Sequence, residues 1–151
     1  IACYNSTEQV VISGHENVVS SVSEKLRRYG ARIISLNNRA PFHTILMKSI
    51  AEKWYEELQA SGFHKLRVPV LSNVDGRPYV DINKIINNLY SQLYMPVRWK
   101  NCMDYLHKEN VDFIIEMSPG SMLKNINIKH GNNVRVYAID ADRDRRELMC
   151  N

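Results

Sequence analysis

The first residue in this chain whose type and setting suit chemistry is His43, in the run Arg39-Ala40-Pro41-Phe42-His43-Thr44. A neutral imidazole titrates near working pH and passes a proton in either direction, as a general base must. Taken alone, a histidine where a loop meets a helix serves equally well as a structural or capping residue. A nucleophilic mechanism would also need a serine or cysteine for it to deprotonate. The strained elbow G-x-S-x-G, which presents such a serine, does not occur in these 151 residues. Ser118-Pro119-Gly120-Ser121 comes nearest, but it lacks the second glycine and reads as a strand-to-helix turn. Cys3, Cys102 and Cys150 are odd in number and widely separated, which argues against a disulfide framework or a zinc site and for free thiols in a reducing cytoplasm. The residues alone offer a base without a nucleophile.

Two other groups invite a chemical reading and lose it on spacing. Asp140-Ala141-Asp142-Arg143-Asp144 begins like a calcium loop, yet Arg145 stands where such a loop needs glycine and Asn151 where it needs a bidentate glutamate. Asp142 is better read as the cap of a last helix, with acids in its first turn. His15, His64, His107 and His130 have no metal-ligand spacing and read as surface histidines. No metal site is expected.

The elements that must position His43 follow from periodicity. Residues 9–13 form a short β-branched run ending at Gly14 and read as a strand. Val18, Val19, Val22 and Leu26 recur at helical spacing before Gly30, and residues 32–36 read as a second strand, giving a small β-α-β unit. A helix is expected from about Thr44 to Ala60, with Leu46, Met47, Ile50, Ala51, Trp54 and Leu58 inward. Residues 68–74 read as a strand broken by Pro69, and Asp75-Gly76-Arg77-Pro78 as a turn. Asp81 caps a helix expected to reach Tyr94, with Ile82, Ile85, Ile86, Leu89 and Leu93 inward, and another runs from Trp99 to Glu109. Buried strands at 112–117 and 134–139 flank a short helix, and a charged helix ends the chain. Such alternation predicts an α/β fold with a largely parallel sheet.

Composition bounds the partners. The chain is 44% hydrophobic and 24% charged, which suits one packed core and excludes disorder. Its net charge of +4 is scattered, so it does not point to nucleic acid and suits an acidic protein or a CoA ester equally well. No apolar run approaches the roughly 20 residues of a membrane span, and there is no signal peptide.

Several ordered motifs resemble the malonyl-CoA:acyl-carrier-protein transacylases and the acyltransferase domains of polyketide synthases. They are Ala2-Cys3-Tyr4-Asn5-Ser6 with Gln9-Val10-Val11-Ile12-Ser13-Gly14, then Ala40-Pro41-Phe42-His43-Thr44-Ile45-Leu46-Met47, and Pro69-Val70-Leu71-Ser72-Asn73-Val74-Asp75-Gly76. Gln92-Leu93, Pro96-Val97-Arg98-Trp99 and Glu116-Met117-Ser118-Pro119-Gly120 follow in the family's order, so the resemblance runs from residue 1 to about 128.

The resemblance implies part of an α/β-hydrolase-like acyltransferase core, residues 39–151, plus an incomplete ferredoxin-like small subdomain, residues 1–38. It implies a two-step transfer of malonyl from malonyl-CoA to the phosphopantetheine thiol of an acyl carrier protein, with no permanently bound cofactor. His43 matches the family's base, and the backbone carbonyl of Gln92 matches the group that orients it. Asn5 matches a residue lining the acyl channel, and Phe42 matches the pattern for malonyl over methylmalonyl. Cys3 departs from the family's usual asparagine. The nucleophilic serine and the arginine for the malonyl carboxylate correspond to an N-terminal half that precedes this stretch. The chain by itself is therefore expected to be inactive. The alternatives are a truncated homologue that binds the carrier protein or CoA without chemistry, and an acyl hydrolase of the same fold.

Overall fold

A computed structural model describes residues 1–37, 40–129 and 134–150, with Lys129 described by its backbone alone. Arg39 of the histidine motif, His130 and Asn151 lie outside the described residues.

The N-terminal part pairs β1 (Cys3–Tyr4) antiparallel with β2 (Val10–Val11), with Cys3 opposite Val11 and Tyr4 opposite Val10. Helix α1 (Glu16–Arg28) follows and closes at Gly30, whose φ of 84° suits a residue without a Cβ. The expected stripe is present, but Val18, Val22 and Leu26 face solvent. Residues 32–36, expected as a strand, have no ladder partner among the described residues.

The larger part begins with a 3-10 turn (Ile45–Met47) leading into α2 (Lys48–Ala60). Met47, Ala51 and Leu58 are buried, whereas Leu46, Ile50 and Trp54 stay open, so only part of the expected stripe is used. Helix α3 (Ile82–Ser91) lies against α2, with Tyr90 edge-on to Tyr55 at 5.0 Å between ring centroids. It stops at Ser91 rather than Tyr94 because Gln92, Leu93 and Tyr94 turn away toward Pro96. At its start the Asp81 carboxylate accepts the Lys84 N–H at 2.7 Å. Replacing Asp81 by alanine should lower stability by about 1 kcal/mol, read as a shift of the urea midpoint at constant m.

Helix α4 (Trp99–Lys108) precedes β3 (Phe113–Glu116), α5 (Met122–Lys129), β4 (Arg135–Ala138) and α6 (Asp142–Cys150). Strands β3 and β4 are parallel, joined by α5 in the expected crossover. The sheet is smaller than expected: these two strands and the separate β1–β2 pair are the ladders among the described residues. Residues 68–74 contribute one bridge, Leu71 to Pro78, because Pro69 interrupts the run and its chain turns back at Asp75-Gly76. Strand β3 is buried on one face only, leaving Phe113 and Ile115 exposed.

Two buried carboxylates tie this part together. Glu116 accepts the N–H groups of Leu123 and Lys124 at the start of α5 and the hydroxyl of Ser118. Asp144 accepts the Ala138 N–H and pairs with Lys124 at 2.5 Å. It is Asp142 that opens α6, so it lies in the first turn and is not the cap. Burial alone would raise the Glu116 pKa, but its hydrogen bonds and the nearby lysine hold it below the ordinary carboxylate range. The Ala138 N–H and Lys124 likewise lower that of Asp144. A carboxyl depressed in the folded state stabilises the protein above its unfolded pKa, about 4, and loses that contribution as pH falls through the folded value. The thermal midpoint should therefore drop on acidification below about pH 4, and Glu116→Gln should flatten that dependence.

Candidate active site

His43 stands where the loop enters α2, in the left-handed region at φ 62°. A non-glycine residue there is costly unless its surroundings hold it. The hold comes from the end of α3. The His43 N–H donates to the Leu93 carbonyl at 2.9 Å, and ring Nδ1 lies 2.7 Å from the Gln92 carbonyl oxygen. A carbonyl only accepts, so Nδ1 carries the proton and neutral His43 leaves its Nε2 lone pair free. Gln92 is the C-cap of α3, where carbonyls lack helical partners and the helix dipole is negative. The ring is thus oriented by main chain alone, and is partly buried.

The loop is braced locally as well. The Thr44 hydroxyl donates to the Pro41 carbonyl at 2.7 Å, closing the turn that presents the imidazole. The Phe42 ring is tilted beside it, 6.5 Å between centroids, and is 40% exposed. Ala40, Pro41 and Leu46 of this stretch line an open cleft of about 430 Å³ together with Ser13, Gly14, His15 and Glu16.

The segment 92–98 joins His43 to the remaining motifs. Val97 exchanges hydrogen bonds with Ala2 and Tyr4, placing β1 beside it. The Arg98 N–H donates to the Asn73 carbonyl at 2.7 Å, and its guanidinium lies over the Tyr4 ring at 5.7 Å from the centroid. Asn73 belongs to a turn whose Ser72 hydroxyl, fully buried, accepts from Asn88 Nδ2 of α3 at 2.8 Å. Asn5 follows β1 and its N–H donates to the Gln9 carbonyl, not to His43 or Gln92. The structure therefore brings His43 to the Gln92 carbonyl, with the Phe42 ring beside His43, while Asn5 follows β1, which is bonded to Val97. The Leu93 carbonyl and the positive φ of His43 are the features that reading the sequence missed. A main-chain acceptor and a backbone angle leave no mark on residue type.

Neither Cys3 nor Cys102 competes as a nucleophile. Burial and then the Asp75 charge push the Cys102 thiol up to about 11, and burial raises Cys3 too, so neither is an activated nucleophile. Asp140 accepts the Gly120 N–H and Asp144 is buried in its ion pair, so these acids of the calcium-like run already serve the fold. Among the described residues, no three His, Cys, Asp or Glu side chains are grouped to hold a metal, and no helix is long and apolar enough to cross a membrane.

No protein-family model matches the chain. FabD of Acinetobacter baumannii, solved by crystallography, superposes with a TM-score of 0.93 at 31% identity, covering 99% of this chain and 48% of that one. A malonyl-transacylase in complex with its type II polyketide acyl-carrier protein superposes with the same score at 29% identity, covering 49% of its chain. The structure is thus of the α/β acyltransferase class. The malonyl CoA-acyl carrier protein transacylase of Bacillus subtilis is 36% identical over 144 residues, 95% of this chain and 36% of that protein. The chain belongs to the malonyl-CoA:acyl-carrier-protein transacylase family, matching the C-terminal half of its members. It spans about half the length, or less, of the relatives it matches.

Proposed function

We propose that this chain supplies the base-bearing half of an enzyme that moves malonyl from malonyl-CoA to an acyl carrier protein. The observation that carries the reading is the 2.7 Å contact between His43 Nδ1 and the Gln92 carbonyl, which leaves Nε2 as a proton acceptor. The likeness to a malonyl-transacylase in complex with a carrier protein supports the choice of acceptor. In this reading residues 39–151 belong to an α/β-hydrolase-like core and residues 1–38 to a ferredoxin-like subdomain.

His43 acts twice. A serine in the N-terminal half loses its proton to Nε2 as its oxygen attacks the thioester carbonyl, and CoA leaves as a thiol after taking that proton. The phosphopantetheine thiol of the carrier protein then gives its proton to Nε2 and attacks the ester. The serine recovers the proton as its oxygen leaves. The Gln92 carbonyl keeps the imidazole in the required tautomer and steadies the imidazolium, the part a carboxylate plays in triads. Phe42 fills space that an α-methyl group would need, and Asn5 lines the acyl channel. No permanently bound cofactor takes part, and the setting is cytoplasmic.

The test is transfer of radiolabelled malonyl from malonyl-CoA to holo acyl carrier protein. The 151-residue chain by itself should give no transfer above background, and mixing with a serine-bearing N-terminal half should restore it. Transfer by this chain unaided would refute the division of labour. Release of free malonate in place of transfer would favour the hydrolase. Binding of carrier protein without transfer in the mixture would favour a non-catalytic binding module.

A further inference from the structure

Helix α3 buries Ile85 and Asn88. An amide is an unexpected occupant of that face, where amphipathic spacing would place another apolar side chain. At 5% exposure it is costly to desolvate unless its hydrogens find acceptors. They find them on the turn at residues 72–76. Asn88 Nδ2 lies 2.8 Å from Ser72 Oγ and 3.4 Å from Asp75 Oδ2. The same carboxylate oxygen is 3.0 Å from Lys84 Nζ, one helical turn earlier, so α3 is clipped to this turn at two levels.

The turn also holds the far end of the segment that follows α3, through the Arg98 N–H on the Asn73 carbonyl at 2.7 Å. Between these anchors lie both carbonyls that hold His43, Gln92 at Nδ1 and Leu93 at the main-chain N–H. The end of α3 needs such an anchor. Its last carbonyls lack intrahelical partners, and residues 92–97 hold no glycine and no positive φ to close it as Gly30 closes α1. Asn88 is also the residue whose carbonyl accepts the Gln92 N–H, at 2.8 Å. Its side chain therefore pins the turn of helix that ends in the acceptor for the imidazole.

We propose that Asn88 is a positioning residue for the base: its amide, seated on Ser72 and Asp75, sets where the Gln92 carbonyl meets His43. This rests on the functional reading above, in which His43 moves the proton. Asn88 acts through the last turn of α3, not on the reacting atoms. A displaced carbonyl would release Nδ1 and admit the other tautomer, in which Nε2 carries the proton and cannot accept one. Misplacement of a catalytic group by about 1 Å can cost about 10²-fold in rate.

The experiment compares Asn88→Ala, Ser72→Ala and the double variant with the parent 151-residue chain. Asn87→Ala is the control, since it removes the same amide from the exposed side of the same helix. Nitrogen NMR of the free chains, at a pH where the ring is neutral, reads the His43 tautomer. The parent and the control should show Nδ1 protonated and Nε2 bare. In Asn88→Ala and Ser72→Ala the two nitrogen signals should move toward each other as the tautomers mix. Transfer is then measured after mixing each chain with the N-terminal half of the A. baumannii protein. Either single variant should lower kcat about tenfold with KM for malonyl-CoA unchanged. The double variant should fall no further, because both changes remove one bond. Circular dichroism checks that each chain is folded, and where Asn88→Ala is not, Ser72→Ala carries the same comparison. An unchanged tautomer in the folded variants overturns the proposal. So does a fall in kcat with Nδ1 still carrying the proton, which would mark a purely structural residue, or additive losses in the double variant. Absence of transfer in the parent mixture contradicts the functional reading, and the NMR comparison still decides the role of Asn88. Transfer by the parent with the tautomer unmoved in both variants keeps that reading and removes the role.

Discussion

Replacing His43 by alanine, in the enzyme assembled from both halves, should lower kcat for malonyl transfer by about 10²- to 10⁴-fold, the usual contribution of a positioned general base. In the proposed mechanism the loss belongs to kcat, because the imidazole would act on a proton in flight while affinity for malonyl-CoA would rest on other contacts. Gln92→Ala is the instructive companion. Its side chain is removed but its carbonyl remains 2.7 Å from Nδ1, so activity should stay within a few-fold of the parent. A large loss in Gln92→Ala would mean that the amide group, not the main chain, matters. Initial rates against malonyl-CoA concentration for the three proteins decide between these outcomes.

The largest effect on stability is expected at Gly76. Its φ is +68°, and a Cβ built there would sit 2.4 Å from the Asn101 Cβ and 3.0 Å from the Asn101 carbonyl carbon. The left-handed backbone costs about 1–2 kcal/mol for an ordinary residue, and overpacking against a helix adds about 1–3 kcal/mol. Gly76→Ala should therefore cost about 2–5 kcal/mol, a large part of the 5–15 kcal/mol that holds a typical domain. The Ser72–Asn88 bond connects this turn to α3, whose end holds His43, so transfer should become heat-labile before it is lost at low temperature. Gly62→Ala is the control, since nothing lies within 4 Å of its Cβ position and its φ is not positive. Urea unfolding should show a midpoint shift for the first variant and little for the second.

Local signals were legible in the sequence where the cause is local. Gly30 ends α1 because the chain needs φ 84° there, and Asp81 starts α3 because its carboxylate reaches the Lys84 N–H. The crossover from β3 through α5 to β4 followed from two apolar runs on either side of a turn. Burial was less legible, because it depends on what lies opposite. Val18, Val22 and Leu26 have helical spacing and are exposed, and residues 32–36 have a strand's composition without a strand's ladder. The pairing of His43 with Gln92 spans 49 residues and uses a carbonyl that every residue possesses. Only the likeness of the motifs to a known family suggested it. Nothing in the run from Pro41 to Thr44 announced a positive φ at a histidine.

The most direct test of the account is intact-protein mass spectrometry of the chain and a serine-bearing N-terminal half after incubation with malonyl-CoA. The expected result is one malonyl group on the N-terminal half, formed only when this chain with His43 intact is present, and none on this chain. A malonyl adduct on this chain, or equal labelling of the other half when His43→Ala is used, would contradict it.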